Sequence, residues 1–529
     1  SGDDIVRVSN LQRINDIQAN LNIDLGTQGS GDSLILDDSG ENATQTGVLT
    51  HNTLTGFGVA PSKTISYLNV EQLDLQLGNH ADTLTILGSH TSETNIDTNS
   101  GNDTVYVENI DGPTNINTDE GADRIDVHRS GRLEDISNTL TIDAGSETDT
   151  LIINDSNDSQ PQTGTLTDQS FAGFGITASH LIAYDNIESL DIDLGSGDDT
   201  LLIENTHSNS TVIDGNAGND VFNATQLNGI VDLNTNADND QINLQKTTVS
   251  ATPRFTTGSG DDEIRIYEPT QPSLAFPVAE VTPILNSTMQ NVLSSVLIDS
   301  GTGHDAMFLH ITSPSIPGQS YQLDREGLTD IYTVNRTSFP EAEIRYRNNL
   351  ESLTAYFDDS QNRLSVMHTV AETTVFMDPP ESTTGQADNI YVGMTLTQSS
   401  TPSTALGNVQ GISGTTTVFA SGSDDSIWVN HQQSTSPTFA ELSSNDIGQS
   451  RQGSVTLRDS NTDAVIKYSD VESVNILTGG SNDDIYIDNT HRQTTTVYTN
   501  AGSDTVNIRA ISGETIISET LAARRKSII

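Results

Sequence analysis

The chain has no cysteine in 529 residues, so disulfides and thiolate metal sites are closed to it. Aromatic residues make up 5% and hydrophobic residues 33%, too lean a supply for the three or four wide cores that this length would ordinarily fill. No run of eighteen apolar residues occurs, which excludes a helical membrane span. Positive charge is scarce. Against 73 acidic residues stand 22 basic ones, a formal net charge of −51 that disfavours nucleic acid, acidic polysaccharide and anionic membranes as partners and favours divalent cations; a purely solubilising, halophilic role for the acids is the plainer alternative. Helix signals are confined to the stretch from Thr288 to Val296 and the last dozen residues. The start, Ser1-Gly2-Asp3-Asp4-Ile5-Val6, falls inside a repeat motif and lacks the features of a secretory signal, so the chain reads as a processed or excised piece of something longer.

What is present is repetition. A Gly/Asn-x-Gly-x-Asp turn runs straight into alternating apolar residues, as in Gly195-Ser196-Gly197-Asp198-Asp199-Thr200-Leu201-Leu202-Ile203. Asp82, Asp103 and Asp123 are spaced by 21 and 20 residues, and Asp199, Asp220 and Asp240 repeat those spacings 117 residues later. A tyrosine-glutamate signature marks the longer unit four times: Tyr67 with Glu71, Tyr184 with Glu188, Tyr346 with Glu351, and Tyr468 with Glu472. Nested self-similarity of this size indicates a solenoid, because each coil leaves an apolar face bare until a neighbour stacks on it. Strings such as Thr-Leu-Leu-Ile supply inward aliphatics at period two. The expected fold is therefore all-β, a parallel β-helix (β-solenoid) with coils of about 20–21 residues. The expected organisation is residues 1–142 as the first repeat unit, 143–266 as the second, 267–296 as a proline-rich insertion, 297–417 as a degenerate third unit, and 418–529 as the fourth unit with a C-terminal tail.

Stacking acidic turns about 4.8 Å apart places like charges well inside a Debye length, so something must neutralise them. The turn resembles the nonapeptide of RTX, or haemolysin-type, calcium-binding repeats at Asp103, Asp199, Asp262, Asp305 and Asp504, and the phrase Leu54-Thr55-Gly56-Phe57-Gly58 followed by Tyr67, Glu71 and Asp82 looks like the roughly 120-residue units of very large extracellular repeat proteins. That resemblance implies Ca2+ held between coils by turn carbonyls and aspartates. Carried onto this chain, the candidate ligands are Asp103, Asp199, Asp220, Asp262, Asp305, Asp483 and Asp504 with Gly101, Gly197, Gly218 and Gly260. The acidic turn recurs once per coil, not twice, which implies at most one calcium column. The competing reading uses the same residues as turn caps that accept backbone N–H groups. Asp82, Asp149 and Asp240 follow degenerate turns and are the weaker ligands. Phe357-Asp358-Asp359-Ser360-Gln361-Asn362 replaces the glycine turn in the third unit, where calcium is expected to be lacking.

His90, His207, His368 and His491 recur once per long unit, too far apart to share an ion, and read as turn or edge hydrogen-bond partners. The recurrent tyrosines read as corner packing, and the glutamates as acceptors for backbone donors. The segment from Glu268 to Asn291 is rich in proline and reads as a loop over the solenoid or a subunit contact. Two function classes remain. One is a structural or adhesive extracellular rod at the cell surface, a segment of a stalk, fibre or filament, stiffened by calcium. Its partners would be further repeats of a longer chain or copies of itself, joined head-to-tail with Arg524-Arg525-Lys526 meeting an acidic neighbour, and cell-surface or glycan contacts. The other is a polysaccharide-acting β-helix enzyme, a lyase or glycoside hydrolase. Repetition favours the rod, since an active site is a unique constellation and these acids recur coil after coil.

Overall fold

A computed structural model describes residues 2–27, 31–266, 292, 294–311, 319–325, 331–336, 343–357, 362–369, 372–377, 387–394, 407–420, 424–444 and 452–519. The protein is nearly all-β, half strand and 1% helical, and its strands stack in parallel as a β-solenoid of two facing sheets. It forms two compact units, residues 1–241 with 250–256, and residues 242–249 with 257–529. Each carries two of the four long repeats.

In the first unit the chain alternates between sheets. Gln72–Gln76, Glu93–Asp97, Thr114–Asn117 and Leu140–Asp143 pair in parallel in sheet A, while Thr83–Ile86, Thr104–Val107, Arg124–Val127 and Thr150–Asn154 do so in sheet B. Alternate residues point inward, and the core is a column of pairs such as Leu73/Leu75, Leu84/Ile86, Val105/Val107 and Leu190/Ile192, all fully buried. Each such aliphatic contributes roughly 1.5–3 kcal/mol on burial. Threonines line the same column after the strands, where Thr118 Oγ1 donates to the Ala144 carbonyl at 3.0 Å. Plain coils advance 20 or 21 residues, as in Gln72 to Glu93 and Thr94 to Thr114.

The turns explain why Asn and Gly alternate in the motif. In turns that follow a plain coil its first position is left-handed, with φ +58° at Asn99 and +69° at Asn216, a conformation Gly and Asn adopt at least cost, whereas Gly78 and Gly195, which follow a meander, are not left-handed. A bare second position lets the coils close tightly: a Cβ on Gly121 would lie 1.5 Å from the Gly101 carbonyl oxygen of the preceding coil. In the degenerate turns Glu147 (φ +91°) and Asp238 (φ +78°) take that place and bear the strain.

The long repeat has its own architecture. At each tyrosine-glutamate signature a three-stranded antiparallel meander is spliced into one sheet. In sheet B the spatial order is Leu21–Asp24, Ile65–Leu68, Thr53–Gly56, Thr46–Thr50, Thr83–Ile86, with parallel pairing at both outer joins. The second meander, Thr163–Leu166, Ser170–Gly173 and Ile182–Asp185, lies in sheet A between Leu140–Asp143 and Thr200–Ile203. Coils that carry a meander lengthen accordingly, Ser33 pairing with Gln72 and Thr150 with Ser189. The phrase Leu54-Thr55-Gly56-Phe57-Gly58 is the meander's middle strand and its exit. Phe57 is buried against Gly47, where a Cβ would meet the ring at 2.1 Å, and Phe174 covers Gly164 likewise.

The second unit repeats the plan. One meander, Gln319–Arg325, Ile331–Arg336 and Glu343–Arg347, joins one sheet, and the other, Phe439–Ser444, Gln452–Asp459 and Thr462–Ser469, joins the facing sheet. A row of stacked rings, His310, Tyr356, Phe376 and Phe419, runs along successive strands with centroids 4.8–4.9 Å apart. Val292 bridges Thr247, and Val296–Asp299 is a strand, so the described end of the stretch expected to turn helical belongs to the ladder. Residues 267–291 and 293 of the insertion, residues 358–361 of the third-unit turn and Arg524 to Lys526 lie outside the described residues.

Two substitutions test the turn geometry by thermal unfolding. Gly121→Ala should destabilise by about 1–3 kcal/mol, because the coil above cannot move away without breaking its ladder. Glu147→Gly should stabilise by about 1 kcal/mol by relieving a left-handed side chain. Opposite signs would refute the close-stacking account.

Candidate functional site

A parallel strand pair leaves a donor over where the strand begins. Thr104 N–H reaches the Asp82 carbonyl of the preceding coil at 2.9 Å, but the Asp82 N–H, one residue before its own strand, has no carbonyl facing it. The motif aspartate of the next coil takes that donor: Asp82 N–H donates to Asp103 Oδ1 at 2.7 Å, Asp103 N–H to Asp123 Oδ1 at 2.7 Å, and Asp123 N–H to Asp149 Oδ1 at 2.7 Å. The same bond links Asp199 to Asp220, Asp220 to Asp240, Asp262 to Asp305, Asp388 to Asp425 and Asp483 to Asp504, at 2.8–3.0 Å. The predicted acids thus form ladders of carboxylates, each tying its coil to the one before. The degenerate turns keep the bond at Asp149 and Asp240, so it does not depend on the second glycine.

Four ladders end on the signature glutamate. Glu71 accepts from Asp32 N–H, Glu188 from Asp149, Glu351 from Asp305 and Glu472 from Asp425, at 2.9–3.0 Å. Asn69 and Asn186 turn left-handed two residues earlier, and the longer side chain spans the altered backbone approach. In the first unit the ladder then restarts on the other sheet, at Gln45 N–H donating to Asp82 and Gln162 N–H to Asp199. Between meanders one column stands at each level among the described residues, and at every meander the old and new columns overlap as the ladder changes corner. Tyr67 and Tyr184 lock the meanders, their hydroxyls donating to the Thr50 and Thr167 carbonyls at 2.7 and 2.6 Å. His90 and His207 accept turn N–H groups from Ser92 and Asn209 at 3.2 Å, and burial lowers both imidazole pKa values, which keeps them neutral.

Apart from half-buried Asp504, the ladder carboxylates are almost wholly buried, and desolvation is the largest cause of the shifts among them. It raises Asp103, Asp149 and Asp305 to about 6 and Asp220 to about 8, the neighbouring acids adding to the shift and the donated N–H opposing it. Asp82, Asp199 and Asp483 shift upward for the same reason. Asp82 and Asp199 use Oδ2 to accept the Gly78 and Gly195 N–H groups at 3.2 Å, whereas Oδ2 of Asp149, Asp220 and Asp305 is buried with no hydrogen-bond partner. Where it has no partner, that second oxygen can hold a proton or serve a cation, so the ladder offers calcium at most one oxygen per coil and none at Asp82 or Asp199. The turn glycines offer less. The Gly101, Gly197 and Gly260 carbonyl oxygens lie against the α-carbon of the glycine one coil on.

Among the described residues, only two groups of three acids bring one ligand atom each within 4.8 Å of the others: Glu134 with Asp155 and Asp158, and Asp191 with Asp193 and Asp214. Neither contains a predicted ligand. Asp191, Asp193 and Asp214 face outward on sheet B, where burial raises Asp193 to about 6. Their Asp-x-Asp spacing was visible in the sequence, but strand polarity alone gives such pairs everywhere in this chain.

The pH dependence follows from the raised values. A carboxyl whose folded pKa lies above its unfolded value near 3.8 contributes stability that is complete below about 4 and lost as pH rises through the folded value. Metal-free protein should therefore melt lower at pH 8.5 than at pH 5, most of the loss falling between pH 6 and 8. Asp220→Asn should flatten that slope while keeping an acceptor for Asp199 N–H, and Asp220→Ala should cost roughly 1–3 kcal/mol by orphaning it. A Tm that rises with pH across this window would contradict the burial argument. Neither models of known protein families nor curated protein sequences match this chain, so its description rests on its own geometry, an all-β repeat protein of stacked parallel coils.

Proposed function

We propose that the chain is a structural or adhesive segment of an extracellular β-solenoid rod, a stalk or fibre element whose repeats set length and whose aspartate ladder is neutralised by calcium. The observation that carries this reading is the recurrence of one bond: at coil after coil the motif acid is spent holding the N–H of the preceding coil. Acids employed this way build a scaffold and set aside no special pair for general acid–base chemistry. The surplus of negative charge supports a calcium-rich setting, where cations lower the cost of stacking buried carboxylates. Further repeats of a longer chain, copies of itself, and surface glycans are the partners that fit such an element.

Two measurements bear on this. A 22-stranded sheet at roughly 4.8 Å per strand gives a continuous rod a length on the order of 100 Å, so small-angle scattering should report an elongated particle, and a compact globule would sink the rod. The double substitution Asp199→Asn with Asp220→Asn should lower the Tm in millimolar calcium yet leave it unchanged or raised in chelator at pH 8. Equal shifts in both conditions would remove calcium from the ladder while leaving the scaffold reading intact.

A further inference from the structure

Beside the ladder, the first unit holds a pocket of a different kind, at the corner where the short 3-10 turn Leu133–Asp135 meets the end of the strand Thr150–Asn154. We propose that Glu134, Asp155 and Asp158 form a binding site for one hard divalent cation of calcium's size. One carboxylate oxygen from each lies within 4.8 Å of the other two. A cation coordinated at about 2.4 Å spans just such a separation between ligand oxygens. Asp155 is 1% exposed, and its Oδ1 is fixed by the Leu133 N–H at 2.9 Å while its Oδ2 is buried with no hydrogen-bond partner. Asp158 is also buried and held in place, its Oδ1 accepting the Ser159 and Gln160 N–H groups at 2.6 and 3.1 Å and its Oδ2 accepting from the Gln162 amide. Glu134 stands at the solvent edge and pairs with Arg132 at 3.0 Å, an exposed pair that exchanges at little cost. Three acceptor-only groups thus converge, and Arg132, 3.9 Å from Asp158, is the cation beside them.

The other repeats show what this position demands. In the first, Asp38 and Glu41 occupy the places of Asp155 and Asp158, and Asp38 Oδ1 likewise accepts the Ile14 N–H at 2.9 Å. There Asn15 replaces Glu134, and its amide donates to Glu41 Oε2 at 2.8 Å, putting a donor where the third acid would be. In the fourth, His431 and Ser434 take the two places, and both meet the buried Asp459 Oδ2, at 3.1 and 2.8 Å. Two repeats therefore place hydrogen-bond donors at the corner, although in the first Asp38 Oδ2, like Asp155 Oδ2, stays buried with no hydrogen-bond partner. The second repeat sets three carboxylates at the corner with one exposed cation, Arg132, on its rim, which leaves a positive partner for the buried Asp155 Oδ2 to come from solution. An all-oxygen set with an open, wet side fits calcium better than a transition metal.

The test is calorimetric titration of CaCl2 into the full chain stripped with EDTA. Wild type should bind an ion that Asp155→Asn and Glu134→Gln each lose or hold on the order of tenfold more weakly, as loss of one ligand charge implies. Asp155→Asn retains an acceptor for the Leu133 N–H, so its Tm in EDTA should not fall. Glu134→Gln, at the surface, repeats the test without touching the core. Asn15→Glu should add one ion by building the same triad in the first repeat. The site does not depend on calcium in the ladder, whose Asp199→Asn and Asp220→Asn variants report on different oxygens. Uptake of the same number of ions with the same affinity by wild type, Asp155→Asn and Glu134→Gln, or no uptake by wild type, would overturn the proposal.

Discussion

Everything in this molecule turns on one backbone N–H per coil. Parallel pairing satisfies the donors within each strand and leaves the first one facing a gap between turns. A buried donor without an acceptor costs about 1–3 kcal/mol, and the stack would meet that cost at every level. An aspartate placed one residue before the strand of the next coil cancels it, and in doing so ties the two coils together. The acid, the bare glycine that lets coils close to carbonyl contact, and the left-handed Asn or Gly that turns the chain are one solution to one problem, which is why they travel together.

The meanders interrupt this scheme and show what it needs. Splicing two extra strands into a single sheet shifts where the chain re-enters the stack, so the aspartate geometry fails and a glutamate, one methylene longer, closes the ladder. The tyrosine on the third meander strand clamps the splice by donating its hydroxyl to the end of the first, and a phenylalanine on a bare glycine seals the hairpin beneath. The ladder resumes on the opposite sheet of the unit with a neutral residue as its first donor. Tyr, Glu and Phe-Gly are therefore parts of one joint.

Charge is the cost of this construction. Carboxylates buried one above another stay ionised only with help, and desolvation drives them toward protonation near neutral pH. A scaffold so built responds to whatever supplies positive charge. Protons serve at low pH, and divalent cations can serve where oxygens remain open. The corner of Glu134, Asp155 and Asp158 carries the same logic one step further, because there three carboxylates converge while Asp155 Oδ2 stays buried without a donor.

How much of this could be read from residues alone depends on range. The 20- and 21-residue spacing, the alternation of inward aliphatics and the role of Glu71 and its equivalents as backbone acceptors are local or strictly periodic, and each was legible because a stacked coil repeats its chemistry at fixed intervals. The uniform coil length was not correct, since Leu54-Thr55-Gly56-Phe57-Gly58 looks like any short strand and nothing in it says that it runs antiparallel inside the sheet. The switch of the ladder between corners and the meeting of Glu134 with Asp155 and Asp158 were equally hidden. They depend on which coil lies on which after a splice, and the triad joins a residue before one strand pair to two after it. Period and composition determined that this chain stacks; only the tertiary packing decided where the stacking is broken, because the register across a meander is set by side chains that meet through space.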